Sequence, residues 1–452
     1  MLHAMTAPGT TLATGFAIET TIRDALYDRI PLAGPELALL GTSAFARLER
    51  IQQLGFVSRV WPGARHTRFE HSLGVMHLTR LAIAHLRSTV EGAWLSDKDA
   101  RVAVAAGLLH DIGHYPFSHA IEELGPPIVP HEEAGRRLIE GPEIAPILEG
   151  AWGVDPARVA VFIDPRGSDL PAGDRLLRGI LSGALDMDKL DYLPRDARAC
   201  NVPYGGVDSS RLIDALAVVR VPGPEANGEL RIGIREKGIS PLHSLINARQ
   251  EMFDNVYWHH TNRACMAMLL RATQEALLAG ALRPVEFQGL DDASLLARLE
   301  AASMPPVTRR LARALQDRRI HKRAVEIGSR AFELYARLGN LFFDPAARRE
   351  VEIRLAAELT SEVGADVPPE TILIDIPKPE RWRTDVWVAF ERPPVGYAPL
   401  MPWRDVVGLT DDDFKRYEEH RRLIRIVAAE PYREIVAASW ERLLLPLLGA
   451  AI

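Results

Sequence analysis

Cysteine is scarce in this chain, and long apolar runs are missing. Its 452 residues include two cysteines, Cys200 and Cys265, too few for a disulfide framework and in keeping with a reducing cytoplasm. No run of 18 or more apolar residues occurs, so we expect no membrane span. The first residues, MLHAMTAPGTTLATGF, lack the basic start and the long apolar stretch of a signal peptide. We therefore expect a cytoplasmic protein.

An excess of basic charge is missing as well. Lysine and arginine total 54 against 60 aspartates and glutamates, giving a formal net charge of −6 and a pI near 6.2. This balance argues against a surface devoted to nucleic acid, so a stable nucleic-acid complex is not expected. Apolar residues make up 47% of the chain, which is ordinary for a globular protein, and the length favours two lobes.

Helical spacing of apolar residues is the dominant pattern. It is clear in the segments 35–54, 69–86 and 98–113. The last of these is apolar on nearly every face, which predicts a helix in the middle of a domain. Further helices are predicted over residues 132–150, 174–200, 208–219, 241–281, 291–319, 321–341, 411–420 and 430–447.

Extended structure is predicted in fewer places. β-Branched residues around a turn predict a hairpin at 18–34, and alternation around Asn227-Gly228 predicts another at 217–236. Strands are expected near 370–390 and at 422–428. The fold class that follows is mainly α, with a small mixed lobe near the end of the chain.

Histidines concentrate in two motifs. HTRFEHSLGV contains His71, and GLLHDIGHYPFSHA contains His110 and Asp111 at the end of the apolar helix. Adjacent side chains on a regular helix point about 100° apart, so these two reach one ion only where the helix ends. Asp188, in the acidic run LDMDKLDYLPRDARAC, is our choice for a fourth ligand. Imidazole and carboxylate groups hold divalent metals, and open coordination positions would serve hydrolysis.

A purely structural interpretation of these residues stays open at this point. A single histidine on an apolar helix is more often a hydrogen-bonded core residue than a ligand. The acidic run at 186–196 could be a solvated helix face, and an isolated His-Asp pair is a weak signal.

The motifs carry a family resemblance. PGARHTRFEHSLGV, LLHDIGHYPFSH, LDMDKLDYLPRDA and a helix with Arg249 and Tyr257 follow one another in order. In this the chain resembles the HD-domain metal-dependent phosphohydrolases, and among them the deoxynucleoside triphosphate triphosphohydrolases. The resemblance implies an HD-domain helical core with a β-hairpin insertion and a smaller C-terminal α+β lobe. The expected division is a flexible tail at 1–17, the HD domain at 18–341 and the lobe at 342–452.

The resemblance also implies a site. It assigns one divalent metal ion (Mn, Fe, Mg, Ni or Zn) to His71, His110, Asp111 and Asp188. The residues matching catalytic positions are His114, His119, Glu122 and His131, with His119 favoured as the proton donor. The residues matching substrate-binding positions are Gln53, Leu54, Arg68, Lys189, Tyr192, Asp196, Arg249, Tyr257 and His259. His66 receives no role and is expected at the surface near the pocket mouth.

Two departures from the family pattern stand out. The usual Asp-Pro-x-His-Gly near the N-terminus is replaced by the sequence from Asp24 to Asp28. The positions that read an activating guanine base in nucleotide-activated animal members are held by Gly41, Ala46 and Glu49, which puts activation by GTP in doubt. No sterile alpha motif domain is expected in the few residues before Asp24.

Three functions are compatible with this sequence. The first is hydrolysis of deoxynucleoside triphosphates to the deoxynucleoside and inorganic triphosphate. The second is hydrolysis at the same site of another nucleotide: an alarmone, a nucleoside monophosphate or a nucleic-acid end. The third is a non-catalytic regulator that binds nucleotide or RNA. The resemblance also implies a nucleotide substrate and a homo-oligomer, as a dimer, tetramer or hexamer.

Overall fold

The computed structural model describes residues 9–222, 228–379, 385–414 and 422–450, and these are mainly helical. The helices up to residue 213 are α1 (Gly34–Leu40), α2 (Ser43–Ala46), α3 (Arg68–Arg87), α4 (Asp97–Leu109), α5 (His131–Ile139), α6 (Ala145–Ile147), α7 (Pro156–Ile163), α8 (Ala172–Arg178), α9 (Met187–Cys200) and α10 (Ser209–Ile213). The later helices are α11 (Ile239–Met252), α12 (His260–Leu278), α13 (Asp292–Glu300), α14 (Pro306–Gln316), α15 (Phe332–Asn340), α16 (Pro345–Val363), α17 (Trp403–Val407) and α18 (Arg433–Ala450).

Nine short strands form three sheets in the described part of the chain. The strands are β1 (Ile18–Asp24), β2 (Asp28–Ala33), β3 (Leu216–Arg220), β4 (Leu230–Arg235), β5 (Lys322–Ile327), β6 (Ile372–Asp375), β7 (Trp387–Ala389), β8 (Leu400–Pro402) and β9 (Ile424–Ala428). β1 and β2 form a hairpin, β3-β4-β7-β8 form a second sheet, and β5-β9-β6 form a third. β4 and β7 are parallel, and the other pairs are antiparallel.

Helices α3, α4 and α9 form the centre of the first hydrophobic core. Met76 of α3, Val104 of α4 and Leu190 of α9 are all fully buried in one cluster. α3 packs closely on α9 because Gly74 has no side chain: a Cβ there would lie 1.9 Å from Asp191 Oδ1. This close approach brings the first turns of α3 and α9 to the end of α4.

A second core lies beside the first. Met268 of α12 and Leu311 of α14 pack there with Ile121, which belongs to a 3₁₀ helix at Ser118–Leu124. The long helix α12 therefore supports that 3₁₀ helix, which carries several residues of the site.

The fold class is confirmed as mainly helical with small sheets. The hairpin at 18–34 and the hairpin strands within 217–236 form as predicted, although Asn227 lies outside the described residues. The helices predicted at 69–86 and 98–113 form as α3 and α4, and α4 ends at Leu109. Of the helix predicted at 411–420, residues 411–414 are helical and the rest lies outside the described residues.

Several predicted helices are wrong in extent. Four predicted helices are each divided into shorter ones: 132–150, 174–200, 241–281 and 291–319. Proline or glycine interrupts some of these segments. In others a side chain caps the start of a new helix, as Asp186 does for α9. The end of the segment 208–219 is strand β3.

The first part of the segment 321–341 is a strand, not a helix. KRAVEI forms β5 and pairs with β9, a central strand whose five residues are all buried. Pairing with this buried neighbour outweighs the weak local helical pattern.

The predicted N-terminal tail is partly described, from residue 9. Thr11 bridges Ala17, and Leu12 and Thr14 are buried. The boundary at residue 342 between the HD domain and the C-terminal lobe stays a prediction. β5 precedes this boundary in the chain but belongs to the third sheet, together with β6 and β9.

Candidate active site

His71 occupies the first turn of α3. That turn is fixed by Glu70, whose Oε2 accepts the Thr67 N–H at 2.5 Å and the Thr67 hydroxyl at 3.0 Å. The His71 Nδ1 lies 2.8 Å from Asp191 Oδ2, which leaves Nε2 facing the other candidate ligands. Because Nδ1 is occupied by a carboxylate, Nε2 is the nitrogen with a lone pair for a metal.

His110 and Asp111 follow the last residue of α4, as the metal prediction required. The His110 Nδ1 is held 2.9 Å from the Gly107 carbonyl oxygen, so its Nε2 also points into the cluster, 3.2 Å from His71 Nε2. Asp111 Oδ1 lies 3.3 Å from His110 Nε2. The end of the helix therefore brings both side chains close to His71, with Asp111 Oδ2 3.7 Å from His71 Nε2 and also paired with Arg68.

Asp188 completes the cluster from the first turn of α9. The helix begins there because Asp186 Oδ1 accepts the Lys189 N–H at 2.9 Å. Asp188 Oδ1 lies 3.0 Å from His71 Nε2 and 3.8 Å from His110 Nε2. His71, His110 and Asp188 each offer a ligand atom within 4.8 Å of the others.

The charge of this cluster fits a bound cation. Burial lowers the pKa of His71, but hydrogen bonds to Asp188 and Asp191 outweigh it and raise the pKa to about 10. Carboxylates that draw a proton onto a buried imidazole would equally favour a divalent metal. Two imidazoles and neighbouring carboxylates are a donor set for such an ion, and the HD-type His/Asp metal-binding cluster is present.

A second set of contacts, which sequence reasoning did not find, supports His71. Asp191 accepts hydrogen bonds from Arg195 at 2.8 and 2.9 Å and from the Tyr27 hydroxyl at 2.8 Å. Arg195 also binds Asp24 at 2.8 Å. The segment from Asp24 to Asp28 thus lies behind the metal cluster. The i, i+4 spacing of Asp191 and Arg195 was the available signal.

Three histidines and one glutamate form a second cluster beside the first. The His131 Nδ1 lies 2.6 Å from Glu122 Oε1, and the His119 Nδ1 lies 3.4 Å from Glu122 Oε2. The His114 ring stacks on that of His131 with centroids 3.8 Å apart, and its Nε2 is 3.1 Å from Asp111. The four predicted catalytic residues are therefore brought together next to the metal cluster.

The residues of this second cluster have pKa values that shift in different directions. Burial raises the pKa of Glu122, but hydrogen bonds from His119 and His131 hold it well below its usual range. Burial lowers the pKa of His131, and Glu122 more than compensates, so the net shift is upward. Burial, Arg68 and His131 hold the pKa of His114 well below its usual value. Glu122 is thus an anion that can carry a protonated histidine.

Cationic side chains surround the two clusters. Arg68 is buried, bonds Asp111 and donates from Nε to Ser118 Oγ at 2.9 Å. The Lys189 Nζ bonds Asp186 Oδ2 at 2.6 Å. Arg68, Lys189 and Arg249 all line one cavity. Arginine and lysine in this arrangement suit phosphate oxygens.

The residues predicted to contact a sugar or base lie on the same cavity. The Tyr257 hydroxyl donates to Asp196 Oδ2 at 2.7 Å, and the His66 Nε2 lies 2.7 Å from Asp196 Oδ1. His66 was expected at the surface, but its side chain is only 8% exposed and pairs with Asp196. The Gln53 Oε1 is buried without a hydrogen-bond partner in the described structure.

Most of the predicted site residues line one cavity of about 500 Å³. Its wall includes Gln53, Leu54, Arg68, His110, Asp111, His114, His119, His131, Asp188, Lys189, Tyr192, Asp196, Arg249 and Tyr257. His71 and Glu122 lie directly behind this wall through the contacts given above. His259 is placed differently: its Nδ1 accepts the Thr261 N–H at 3.3 Å and its ring meets Trp61 edge-on.

Comparison with known families agrees with this geometry. The HD domain family matches residues 68–163, and the HD associated region matches residues 207–389. The first range holds His71, His110 and Asp111 together with the second cluster. The second range begins after Asp188 and includes the cavity residues Arg249 and Tyr257.

Individual relatives are more distant. An uncharacterized protein of Methanocaldococcus jannaschii is 32% identical over 278 residues, which are 62% of this chain and 54% of that protein. The human deoxynucleoside triphosphate triphosphohydrolase SAMHD1 is 29% identical over 283 residues, 56% of this chain and 44% of that protein. The chain therefore spans about half the length of the curated relatives it matches.

A solved structure extends the likeness to the fold. The crystal structure of a hypothetical protein from Aquifex aeolicus superposes with a TM-score of 0.69 at 25% identity. The match covers 94% of this chain and 100% of that one. The chain thus contains a region that matches the HD domain, followed by a region that matches the HD associated region, around a His/Asp cluster that suits a metal ion.

Proposed function

We propose that the protein hydrolyses deoxynucleoside triphosphates to the deoxynucleoside and inorganic triphosphate. The observation that carries this proposal is a single cavity whose wall brings together candidate metal ligands, two histidines backed by Glu122 and several cationic side chains: His110, Asp111, Asp188, His119, His131, Arg68, Lys189 and Arg249. The human relative named as a deoxynucleoside triphosphate triphosphohydrolase supports the choice of substrate.

The cationic residues would bind the triphosphate. The Arg68 guanidinium lies between Asp111 and Ser118 at the floor of the cavity, beside the metal cluster. Lys189 follows the ligand Asp188, and Arg249 lines the wall from the end of α11. Charge that develops on a phosphoryl group during the reaction is stabilised by such fixed cations.

Gln53 and Leu54 would contact the sugar. The Gln53 Oε1 is a buried acceptor without a partner in the described structure. A buried polar group left unpaired is expensive, so a hydroxyl that donates to this oxygen would bind well. Leu54 lies next to it in the same wall, where crowding would reject an additional 2′-hydroxyl.

The reaction joins a water oxygen to the α-phosphorus and breaks the bond between that phosphorus and the 5′-oxygen. A divalent ion on the His/Asp cluster would polarise an oxygen of the α-phosphate, which is the chemistry it supplies when bound. His119 would protonate the departing 5′-oxygen while its Nδ1 faces Glu122. His131, bonded to the same glutamate, would help to hold that carboxylate as an anion.

Other nucleotides remain the second candidate class. An altered family motif at residues 24–28 would favour another substrate if it reached the cavity, but Asp24 and Tyr27 contact Arg195 and Asp191 behind the metal cluster. They support His71 instead of lining the cavity. This departure therefore does not favour an alarmone or a monophosphate over a deoxynucleoside triphosphate.

A substrate panel tests the proposal. Four dNTPs, the matching NTPs, an alarmone and a nucleoside monophosphate would be incubated with each divalent metal, and products identified by mass. The double variant His110→Ala/Asp111→Ala is the negative control, and Asp214→Asn, at an exposed helix end, is the matched surface control. Intact triphosphate from dNTPs supports the proposal. Turnover of another nucleotide only, or nucleotide binding without turnover, contradicts it.

A further inference from the structure

Asp292 is a buried carboxylate that no step above uses. It lies at the start of α13, far along the chain from the metal ligands, and is 8% exposed. Its Oδ2 accepts the Gln52 backbone N–H at 2.9 Å, and its Oδ1 accepts the Phe117 backbone N–H at 2.6 Å. One side chain therefore joins two separate segments of backbone.

Both of those segments enter the cavity wall. Gln52 immediately precedes Gln53 and Leu54, on the sugar side of the site. Phe117 precedes Ser118 and His119, on the side where the leaving oxygen would be protonated. The Ser118 hydroxyl also lies between the segments, 3.0 Å from the Gln52 carbonyl oxygen and within 2.9 Å of Arg68 Nε.

The backbone that Asp292 holds is strained. Phe117 and Ser118 have φ values of 58° and 59°, two consecutive non-glycine residues in the left-handed region. Such conformations are unfavourable for residues with a side chain and persist only when their surroundings impose them. The Phe117 ring stacks on Phe56 with centroids 4.4 Å apart, which fixes the side chain but leaves the backbone N–H to Asp292.

Ordinary helix capping does not account for Asp292. The neighbouring Asp291 already caps α13, since its Oδ1 accepts the Ser294 N–H at 2.9 Å. Burial raises the pKa of Asp292 to about 6, although the two backbone N–H groups oppose the shift. Burying the Asp292 carboxylate is unfavourable, and the neighbouring Asp291 already caps the helix. Both observations point to a role for Asp292 in joining the two segments.

We propose, on the basis of the function proposed above, that Asp292 is a positioning residue for the active site. Its carboxylate ties the segment carrying Gln53 and Leu54 to the turn carrying His119, and so fixes the distance between the sugar contact and the proton donor. Displacement of a reacting group by about 1 Å can reduce a rate about a hundredfold.

The test compares Asp292→Asn with Asp291→Asn. Asparagine at 292 keeps the shape but cannot accept from both N–H groups, whereas asparagine at 291 remains a good cap. For Asp292→Asn we expect kcat to fall about 10- to 100-fold and the preference for dNTP over NTP to decrease. Metal per chain should stay at the wild-type value, and amide exchange at Gln52 and Phe117 should become faster. Asp291→Asn should change none of these.

Two results would overturn the inference. One is wild-type exchange at both amides in Asp292→Asn, and the other is equal impairment in the two variants, which would indicate a capping role. If the wild type hydrolyses no dNTP, the proposed function fails, while the exchange measurement still decides the role of Asp292. Asp292→Glu, which keeps the charge and moves the carboxylate by one methylene, should show the same pattern at smaller amplitude if Asp292→Asn does not fold.

Discussion

The orientation of a single imidazole determines whether His71 can bind a metal. Its Nδ1 faces Asp191, and Asp191 is held by Arg195 and Tyr27. This chain of contacts is the kind of outer support that commonly raises metal affinity 10- to 100-fold. Asp191 is therefore a partner of the candidate metal cluster through the predicted ligand His71.

Asp191→Asn should weaken metal binding by about 10- to 100-fold, because the neutral amide orients and polarises His71 less well. Metal affinity would be measured by titration of the metal-free protein with Mn²⁺. Asp214→Asn, an exposed aspartate at the end of α10, is the control and should bind metal like the wild type. Equal affinity in Asp191→Asn and the wild type would contradict the role given to Asp191.

His77 should make the protein sensitive to acid. Burial and the neighbouring Arg80 lower its pKa from 6.5 to about 4. The unfolded chain then binds a proton between these values that the folded chain does not, so stability falls as pH drops from 6.5 towards 4, by about 3 kcal/mol in total. His77→Met should lose less stability than the wild type between pH 7.5 and pH 4.5, measured by urea unfolding. The same loss in both proteins would contradict this cause.

At this scale the sequence predicts residues with distinctive chemistry better than those that support them. The positions of His71 and His110 follow from the ends of α3 and α4, which periodicity indicates, whereas the start of α9 beside Asp188 lies inside a segment predicted as one helix. Asp191 contacts His71 across 120 residues and Asp292 joins two backbone segments that are also distant in the sequence, so the only local signal for either is the i, i+4 pair of Asp191 with Arg195. His66 was misplaced for the same reason, since its partner Asp196 lies 130 residues away.

The spacing between α3 and α9 is the element-scale feature on which the metal cluster depends. A Cβ on Gly74 would lie 1.9 Å from Asp191 Oδ1 and 2.6 Å from Arg195 Nη2. Both of these side chains are buried, so neither can move aside without breaking its contacts. Gly74 therefore sets how closely Asp188 and Asp191 approach His71.

Gly74→Ala should push the two helices apart and destabilise the protein by about 2 kcal/mol or more, with reduced metal affinity. Thermal unfolding and metal titration would measure the two effects. Gly150→Ala is the matched control, since a Cβ at Gly150 has no atom within 4 Å and that residue is also helical. Equal unfolding temperatures for the two variants would contradict the importance of this contact.

Elements were predicted well where one apolar pattern runs without interruption, as in α3 and α4. The prediction failed where pairing between distant segments decides the structure. β5 is a strand because β9 lies beside it, and its own residues alternate only weakly. Helix α9 begins at Met187 because the Asp186 side chain caps it there, although apolar residues continue upstream.

At the scale of the whole molecule, buried ion pairs connect the site to the third sheet. Arg263 of α12 donates to Glu123 at 2.9 Å and to Asp375 of β6 at 2.8 Å. Glu123 belongs to the same 3₁₀ helix as His119, and both Glu123 and Arg263 reach the cavity wall.

None of the described helices has both the length and the apolar character needed to cross a membrane.

Arg263→Met should destabilise the protein by about 3–5 kcal/mol, because it removes the cation that pairs with the buried Glu123 carboxylate and leaves Asp375 only Arg425, 3.6 Å away. Chemical unfolding would measure the change. The control is Arg354→Met, which breaks an exposed pair with Glu350 on α16 and should change stability by less than about 1 kcal/mol. A small effect of Arg263→Met would mean that the sheet and the site are connected mainly by apolar contacts.

Assembly into a homo-oligomer remains a prediction of the family resemblance. Sedimentation of the purified protein would measure it.

Turnover of a dNTP in water enriched in ¹⁸O would show which bond the proposed reaction breaks. We expect one ¹⁸O atom in the released triphosphate and none in the deoxynucleoside, because the water oxygen joins the α-phosphorus and the 5′-oxygen leaves with the sugar. Release of pyrophosphate or of single phosphate, or label in the deoxynucleoside, would contradict the proposed reaction.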